Sequence, residues 1–255
     1  RKPPRRVGMV LVMGCGRLGR SILEGLRLAG ISAQGWHRGQ PIPAAKLYWL
    51  CVPDAVIPEL ARQLPAVGAR VHSAGSLGPE LFGEEGAVLH PLMTFPGGDA
   101  GCTSLRGVPA TLSGAGESRR LAQQIGEQLG MNILPISGDR RRYHAAATIS
   151  SSHCSSLFLS AAALLEDLGL SPGEARQLLL PLAQESLRRA AEGGAAALTG
   201  PTVRGDSGTE AGHLAVLTEE DQLLYRLLRD RILKLRRGLP NQVAPLSHSP
   251  VEESS

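Results

Sequence analysis

Val7-Gly8-Met9-Val10-Leu11-Val12-Met13-Gly14-Cys15-Gly16-Arg17-Leu18-Gly19 decides how this chain is read. Residues 7–13 are an apolar run suited to a buried strand, and residues 17–29 carry apolar side chains at helical spacing. Gly14, Gly16 and Gly19 therefore fall at a strand-to-helix turn in the order G-x-G-x-x-G, where a dinucleotide docks. Gly14 permits the tight turn, Gly16 lets backbone N–H groups approach a pyrophosphate, and Gly19 lets helix and strand pack closely. Cys15, Arg17 and Leu18 complete the expected cofactor-binding turn. The small size of Cys15 counts for more here than its thiol, although a helix N-terminus can lower a thiol pKa.

Proteins that prefer NAD place an acid at the end of the second strand to hold the ribose 2′-OH. Here the second strand, from 31 to about 36, runs into His37-Arg38-Gly39, and no carboxylate stands between Glu24 and Asp54. An arginine pairs bidentately with a 2′-phosphate that a carboxylate would repel, so NADP(H) is the expected cofactor. His37 and Arg38 are the residues expected at the phosphate, with Val52 and Pro53 at the end of the neighbouring strand. Arg38 as a solvated loop charge is the bland alternative.

The 255 residues, 42% of them hydrophobic, suffice for one large core or two modest ones, and the pattern changes near residue 137. Residues 1–136 are expected as a doubly wound, mostly parallel α/β domain, 137–238 as an all-helical domain, and 239–255 as a disordered tail. The basic residues 1–6 read as a disordered arm. Uninterrupted apolar runs fall far short of the ~18–20 residues that cross a bilayer, and no signal-peptide order is present, so no membrane partner is expected. The four cysteines, Cys15, Cys51, Cys102 and Cys154, have no C-x-x-C spacing, which argues against a metal site or disulfide framework and for the reducing cytoplasm. The net charge of +4 and the Arg140-Arg141-Arg142 cluster could suit nucleic acid, but aromatics are only 3% and none interleaves with the cluster. An anionic cofactor and substrate suit that charge better.

Strands are expected at 47–52, 70–73, 87–90, 108–112 and 132–135, with helices at 55–64, capped by Asp54, and 117–129. A single long helix is expected over 139–168. Ser171-Pro172-Gly173-Glu174 reads as a capping box opening a helix that Pro181 kinks and Gly193-Gly194 ends. Residues 198–206 read as a loop, followed by helices at 209–217 and 219–237, the second capped by Thr218.

Ligands of open α/β sheets meet the carboxyl ends of the strands, where Ser73 and His90 stand. An imidazole can pass a proton as a hydride moves on the adjoining atom, so His90 is the expected catalytic residue, with Ser73 and His144 beside it. The bland alternative for His90 is a backbone hydrogen bond at a proline turn. At ~100° per residue, His144, Thr148, Ser151 and Ser155 fall within ~40° of one line along the long helix, and His153 lies on the opposite side. This stripe either faces a ligand or packs helices through small hydroxyls. Arg204, Asp206 and His213 form a last polar cluster, in which Arg204 either holds a substrate carboxylate or pairs locally with Asp206.

His90-Pro91-Leu92-Met93-Thr94-Phe95, Tyr143-His144-Ala145-Ala146-Ala147, Leu198-Thr199-Gly200-Pro201 with Arg204-Gly205-Asp206, and His213-Leu214 carry a family resemblance. From residue 7 to about 237 the chain resembles the bacterial Rossmann-like proteins with a DUF2520 C-terminal domain. These are similar to the relatives of F420-dependent NADP reductase, ketopantoate reductase and pyrroline-5-carboxylate reductase. The resemblance implies an NADP-binding domain, a helical domain over 137–238 that dimerises, and substrate held between them; Thr94, Ser151, Arg204, Asp206 and His213 are the residues expected to bind substrate. His90 looks like the histidine of the His-Pro motif in prephenate dehydrogenases, which meets a substrate hydroxyl. In this group Ser-Asn commonly follows the Tyr-His-Ala-Ala-Ala stretch, whereas this chain has Ser151-Ser152, and a hydroxyl lacks the paired donor and acceptor of an amide. The expectation is an NADP(H)-dependent oxidoreductase acting on a small anionic carbonyl or imine compound. The alternative is a non-catalytic NADPH-binding sensor or partner-binding module.

Overall fold

The computed structural model describes residues 8–96 and 101–238; the arm at 1–6 and the tail at 239–255, both expected to be disordered, lie outside the described residues. Seven strands form one sheet: β1 (Val10–Met13), β2 (Ala33–Trp36), β3 (Leu47–Leu50), β4 (Ala69–His72), β5 (Ala87–Pro91), β6 (Pro109–Gly114) and β7 (Asn132–Pro135). Their order is β2-β1-β3-β4-β5-β6-β7, and every neighbouring pair is parallel except β5–β6. Helices α1 (Arg17–Leu28), α2 (Ile57–Gln63) and α3 (Gly116–Gln128) accompany the strands.

The continuous apolar runs in β1 and β3 follow from burial on both sheet faces. Val10, Val12, Leu47 and Trp49 pack into one core, while Leu11, Met13, Tyr48 and Leu50 pack into the other. Because β2 and β3 flank β1, the chain reverses its direction of winding there. The crevice at the carboxyl ends of β1 and β3 is the place where ligands of such sheets bind.

Several local expectations change. Asp54 does not cap the following helix: it starts a 3₁₀ turn, Asp54–Val56, and its Oδ2 accepts from Ser76 Oγ at 2.7 Å, joining the loops after β3 and β4. The long helix is divided into α4 (Arg140–Thr148), a π turn at Ile149–His153 and α5 (Cys154–Glu166). Ser150 and Ser151 both donate to the Ala147 carbonyl, at 3.1 and 2.7 Å, and this competition for a helix acceptor accompanies the widened turn. A π turn admits about one extra residue, so the uniform 100° spacing does not carry past it: Ser155 leaves the line of His144, and the placement of His153 opposite His144 lapses.

The run Arg140–Glu166 is also long and apolar enough, by length and composition alone, to cross a membrane, although polar residues interrupt it. Its first turns, however, pack on the sheet through Arg140 and Tyr143.

Further helices are α6 (Pro172–Gly193), α7 (Pro201–Arg204), α8 (Ser207–Val216) and α9 (Glu219–Arg237). The capping box at Ser171 and Glu174 is present, α6 continues through Pro181, and Thr218 caps α9. The stretch expected as a loop over 198–206 contains the single turn α7. The chain forms two compact units that divide between Cys154 and Ser155. Strand patterning stops at 137, but packing against the sheet continues through α4.

Candidate functional site

The glycine turn has the geometry a pyrophosphate needs. Gly14 has φ +102°, and a Cβ there would stand 2.6 Å from the Cys51 carbonyl oxygen. A Cβ on Gly19 would collide with the carbonyl oxygen of Gly14, so helix and turn touch only because residue 19 has no side chain. Gly16 is different: nothing lies within 4 Å of where its Cβ would be, and it begins α1 with no side-chain cap and no acid in the first turn. The first N–H groups of α1 thus have no competing side chain, and the helix dipole favours an anion. A dinucleotide phosphate fits this turn.

Gly14, Cys15, Val52, His37 and Arg38 line one cavity of about 400 Å³, together with Trp36, Val56, Glu59, Leu60 and Gln63. The turn carrying Arg38 is shaped by Gln40, whose Oε1 accepts from His37 N at 3.2 Å and whose carbonyl accepts from Trp36 Nε1 at 3.1 Å. His37 and Arg38 are exposed. Cys15 Sγ points back to the Trp36 carbonyl at 3.9 Å, beside the space left by Gly35, and burial raises its pKa. That supports the size reading over a reactive thiol. Arg17 and Pro53 are exposed and Leu18 packs against the core, all beside the cavity in sequence without lining it. Glu59, carried on α2, adds an acid to this lining that does not belong to the end of the second strand.

At the carboxyl end of β5, His90 meets two residues of α4. Its Nδ1 lies 2.7 Å from Tyr143 Oη, and its ring stands edge-on to Tyr143 at 5.5 Å and to His144 at 6.3 Å between centroids. Gly75 lets them converge, because a Cβ there would lie 3.1 Å from His90 Nε2 and collide with His144 Cδ2. Arg140, 5% exposed, donates to Ser113 Oγ at 3.1 Å and places its guanidinium carbon 5.0 Å from the centre of the Tyr143 ring. Burial, then the charges of Arg140 and His144, push the His90 pKa down to about 4, against a smaller opposing effect of Asp54. The imidazole is therefore neutral at pH 7.

Other expected residues are placed differently. Ser73 is buried, with its Oγ accepting from Trp49 Nε1 and donating to the Leu89 carbonyl, both at 2.8 Å. The hydroxyl expected to be catalytic is a core tie joining β3, β4 and β5. His72, equally buried, accepts from Ala74 N on Nδ1, so the proton is on Nε2, which donates to the Gly78 carbonyl at 3.0 Å. Thr94 is exposed. Ser151 is exposed with its hydroxyl on its own helix. In the second unit Asp206 caps α8 by accepting from Thr209 N and Oγ1 at 3.0 and 2.7 Å, and no ion pair joins it to Arg204 among the described residues. His213 Nδ1 lies 2.9 Å from Tyr225 Oη, and Arg204 is exposed.

The fold and glycine turn define the class: a Rossmann-type doubly wound sheet followed by an all-helical region. Residues 108–232 match the model of a domain of unknown function, DUF2520. The chain is similar in fold to a protein of Bacteroides fragilis provisionally described as an NADP oxidoreductase, with TM-score 0.73, 22% identity, and 90% of this chain and 99% of that one covered. It is also similar to a protein of Thermotoga maritima, with TM-score 0.68, 21% identity, and 89% and 98% covered. A reductive aminase of Aspergillus terreus, solved with NADPH and ethyl levulinate, has TM-score 0.62 and 19% identity, with 91% and 95% covered. No curated protein matches the chain.

Proposed function

We propose that the protein is an NADP(H)-dependent oxidoreductase that moves a hydride to or from a small anionic carbonyl or imine compound. The observation that supports this most is the cavity joining the uncapped glycine turn to Arg38, whose guanidinium has no hydrogen-bond or ion-pair partner among the described residues. A bound nicotinamide nucleotide supplies the hydride. Gly14 and Gly16 admit its pyrophosphate to the N-terminus of α1, and Arg38 pairs with the 2′-phosphate. His90 accepts a proton from, or donates a hydrogen bond to, the substrate oxygen or nitrogen, the two roles open to a neutral imidazole. The fold-level likeness to a reductive aminase that holds NADPH agrees with this reading.

Calorimetry with NADPH and NADH tests it. Arg38→Ala is expected to weaken NADPH about 10- to 100-fold, the effect of losing a charge-assisted pair worth roughly 1.5–3 kcal/mol, and to leave NADH unchanged. Absence of binding, or a preference for NADH in the wild type, overturns the reading.

The exposed leucines of the helical unit favour a second element, assembly with another copy of the chain through those helices. A non-catalytic NADPH sensor is the alternative such a surface supports. It predicts an NADPH-dependent change in oligomeric state with no turnover of oxo acids or cyclic imines.

A further inference from the structure

Tyr143 has a single hydrogen-bond partner among the described residues, His90 Nδ1. A phenol carries one proton and needs an acceptor for it. If Nδ1 held the proton and donated to the phenol oxygen, the Tyr143 proton would have no acceptor on the described residues. Donation from Tyr143 Oη to an unprotonated Nδ1 satisfies both groups and puts the imidazole proton on Nε2. Arg140 holds the phenol ring in place from its face, and it is anchored in turn by Ser113. Gly75 leaves room for the Nε2 edge beside His144.

We propose that Tyr143 is a positioning residue for His90: by donating to Nδ1 it fixes the Nε2–H tautomer, so that His90 presents a hydrogen-bond donor to an acceptor oxygen, a carbonyl or alkoxide, and not to the N–H of a protonated imine. The inference rests on the reading of His90 as the group that meets substrate. The surrounding charges agree: Arg140 and His144 on α4, His72 on β4 and Asp54 after β3 face this imidazole, and among them only Asp54 favours a cation. The buried guanidinium of Arg140 makes no ion pair among the described residues, which disfavours a cationic substrate group at the same place and favours one that develops negative charge.

Ring-nitrogen NMR of selectively labelled histidine tests the tautomer directly, without substrate. In the wild type near pH 7, His90 is expected to show one protonated-type Nε2 and one unprotonated-type Nδ1. In Tyr143→Phe the two shifts are expected to move toward each other as the tautomers mix, while NADPH affinity and melting temperature stay within about twofold and a few degrees of wild type. A wild-type Nδ1–H tautomer, or a Tyr143→Phe spectrum with the His90 shifts unchanged, overturns the proposal whether or not Tyr143→Phe is fully stable, since the first outcome needs only the wild type. Turnover separates the two readings. Loss of kcat in His90→Gln with the tautomer unaffected by Tyr143→Phe refutes the positioning role alone. The expected tautomer with full turnover in His90→Gln refutes the catalytic reading alone.

Discussion

The sheet unit and the helical unit use leucine in opposite ways. All of β1 and β3 are buried to within 1%, together with Ile22 and Leu26 of α1. In α5 to α9 only Ala162 and Ala175 are buried, while Leu182, Leu223 and Leu227 are 67%, 62% and 61% exposed. A strand must find neighbours within the chain to pair its backbone, and those neighbours cover its side chains. A helix satisfies its own backbone and can leave an apolar stripe for another surface. The sheet unit thus carries its own core, and the helical unit carries the apolar faces that the proposed assembly would cover.

The largest expected effect breaks the self-contained half. Gly19→Val drives a side chain into the Gly14 carbonyl and is expected to cost on the order of 3 kcal/mol or more, together with NADPH binding. Gly16→Ala, with open space around its Cβ, is expected to keep the wild-type melting temperature and weaken NADPH only. Equal melting temperatures for the two variants would remove the distinction between packing and phosphate glycines. The next effect breaks the other half: Leu223→Glu with Leu227→Glu, one turn apart on α9, is expected to convert a dimer to monomers in sedimentation experiments, each leucine contributing roughly 1.5–3 kcal/mol when buried. A wild type that sediments as a monomer counts against the assembly.

A smaller effect sharpens the contrast through pH. The unfolded chain takes up a proton on His90 near its ordinary pKa of about 6.5, whereas the native imidazole resists until about 4. Its contribution is complete above pH about 6.5 and is lost as pH falls toward about 4, up to about 3 kcal/mol in total. The buried His72, also shifted downward by burial, acts in the same direction. Urea unfolding at about pH 7 and about pH 4.5 checks this, and His90→Gln should flatten the difference. An unchanged slope in that variant would assign the acid sensitivity elsewhere.

Much of the fold was legible because repeating patterns carry it: apolar runs at β1 and β3, helical spacing in α1 and α3, and the capping box at Ser171. The glycine turn was legible in the same way, since its three positions and both flanks are local. Ser73 was misread because its place at a strand end is local, while its partners Trp49 and Leu89 belong to neighbouring strands. Arg140 read only as one of a cluster of three arginines, yet the first turn of α4 buries it against Ser113. Tyr143 stood in a quoted motif without a role, 53 residues from the imidazole it bonds.

By itself the order of residues determined the strand–turn–helix at Gly14, the absence of an acid at the end of β2, and the change from alternating strands and helices to helices alone. Each is set by backbone conformation and side-chain type within a few residues. Only the tertiary structure decided that His90 meets Tyr143 and His144, that Gly75 makes room for them, and that a π turn shifts the stripe beyond Thr148. Those depend on close approach between segments distant in sequence, or on competition for one carbonyl, which spacing along the chain does not encode.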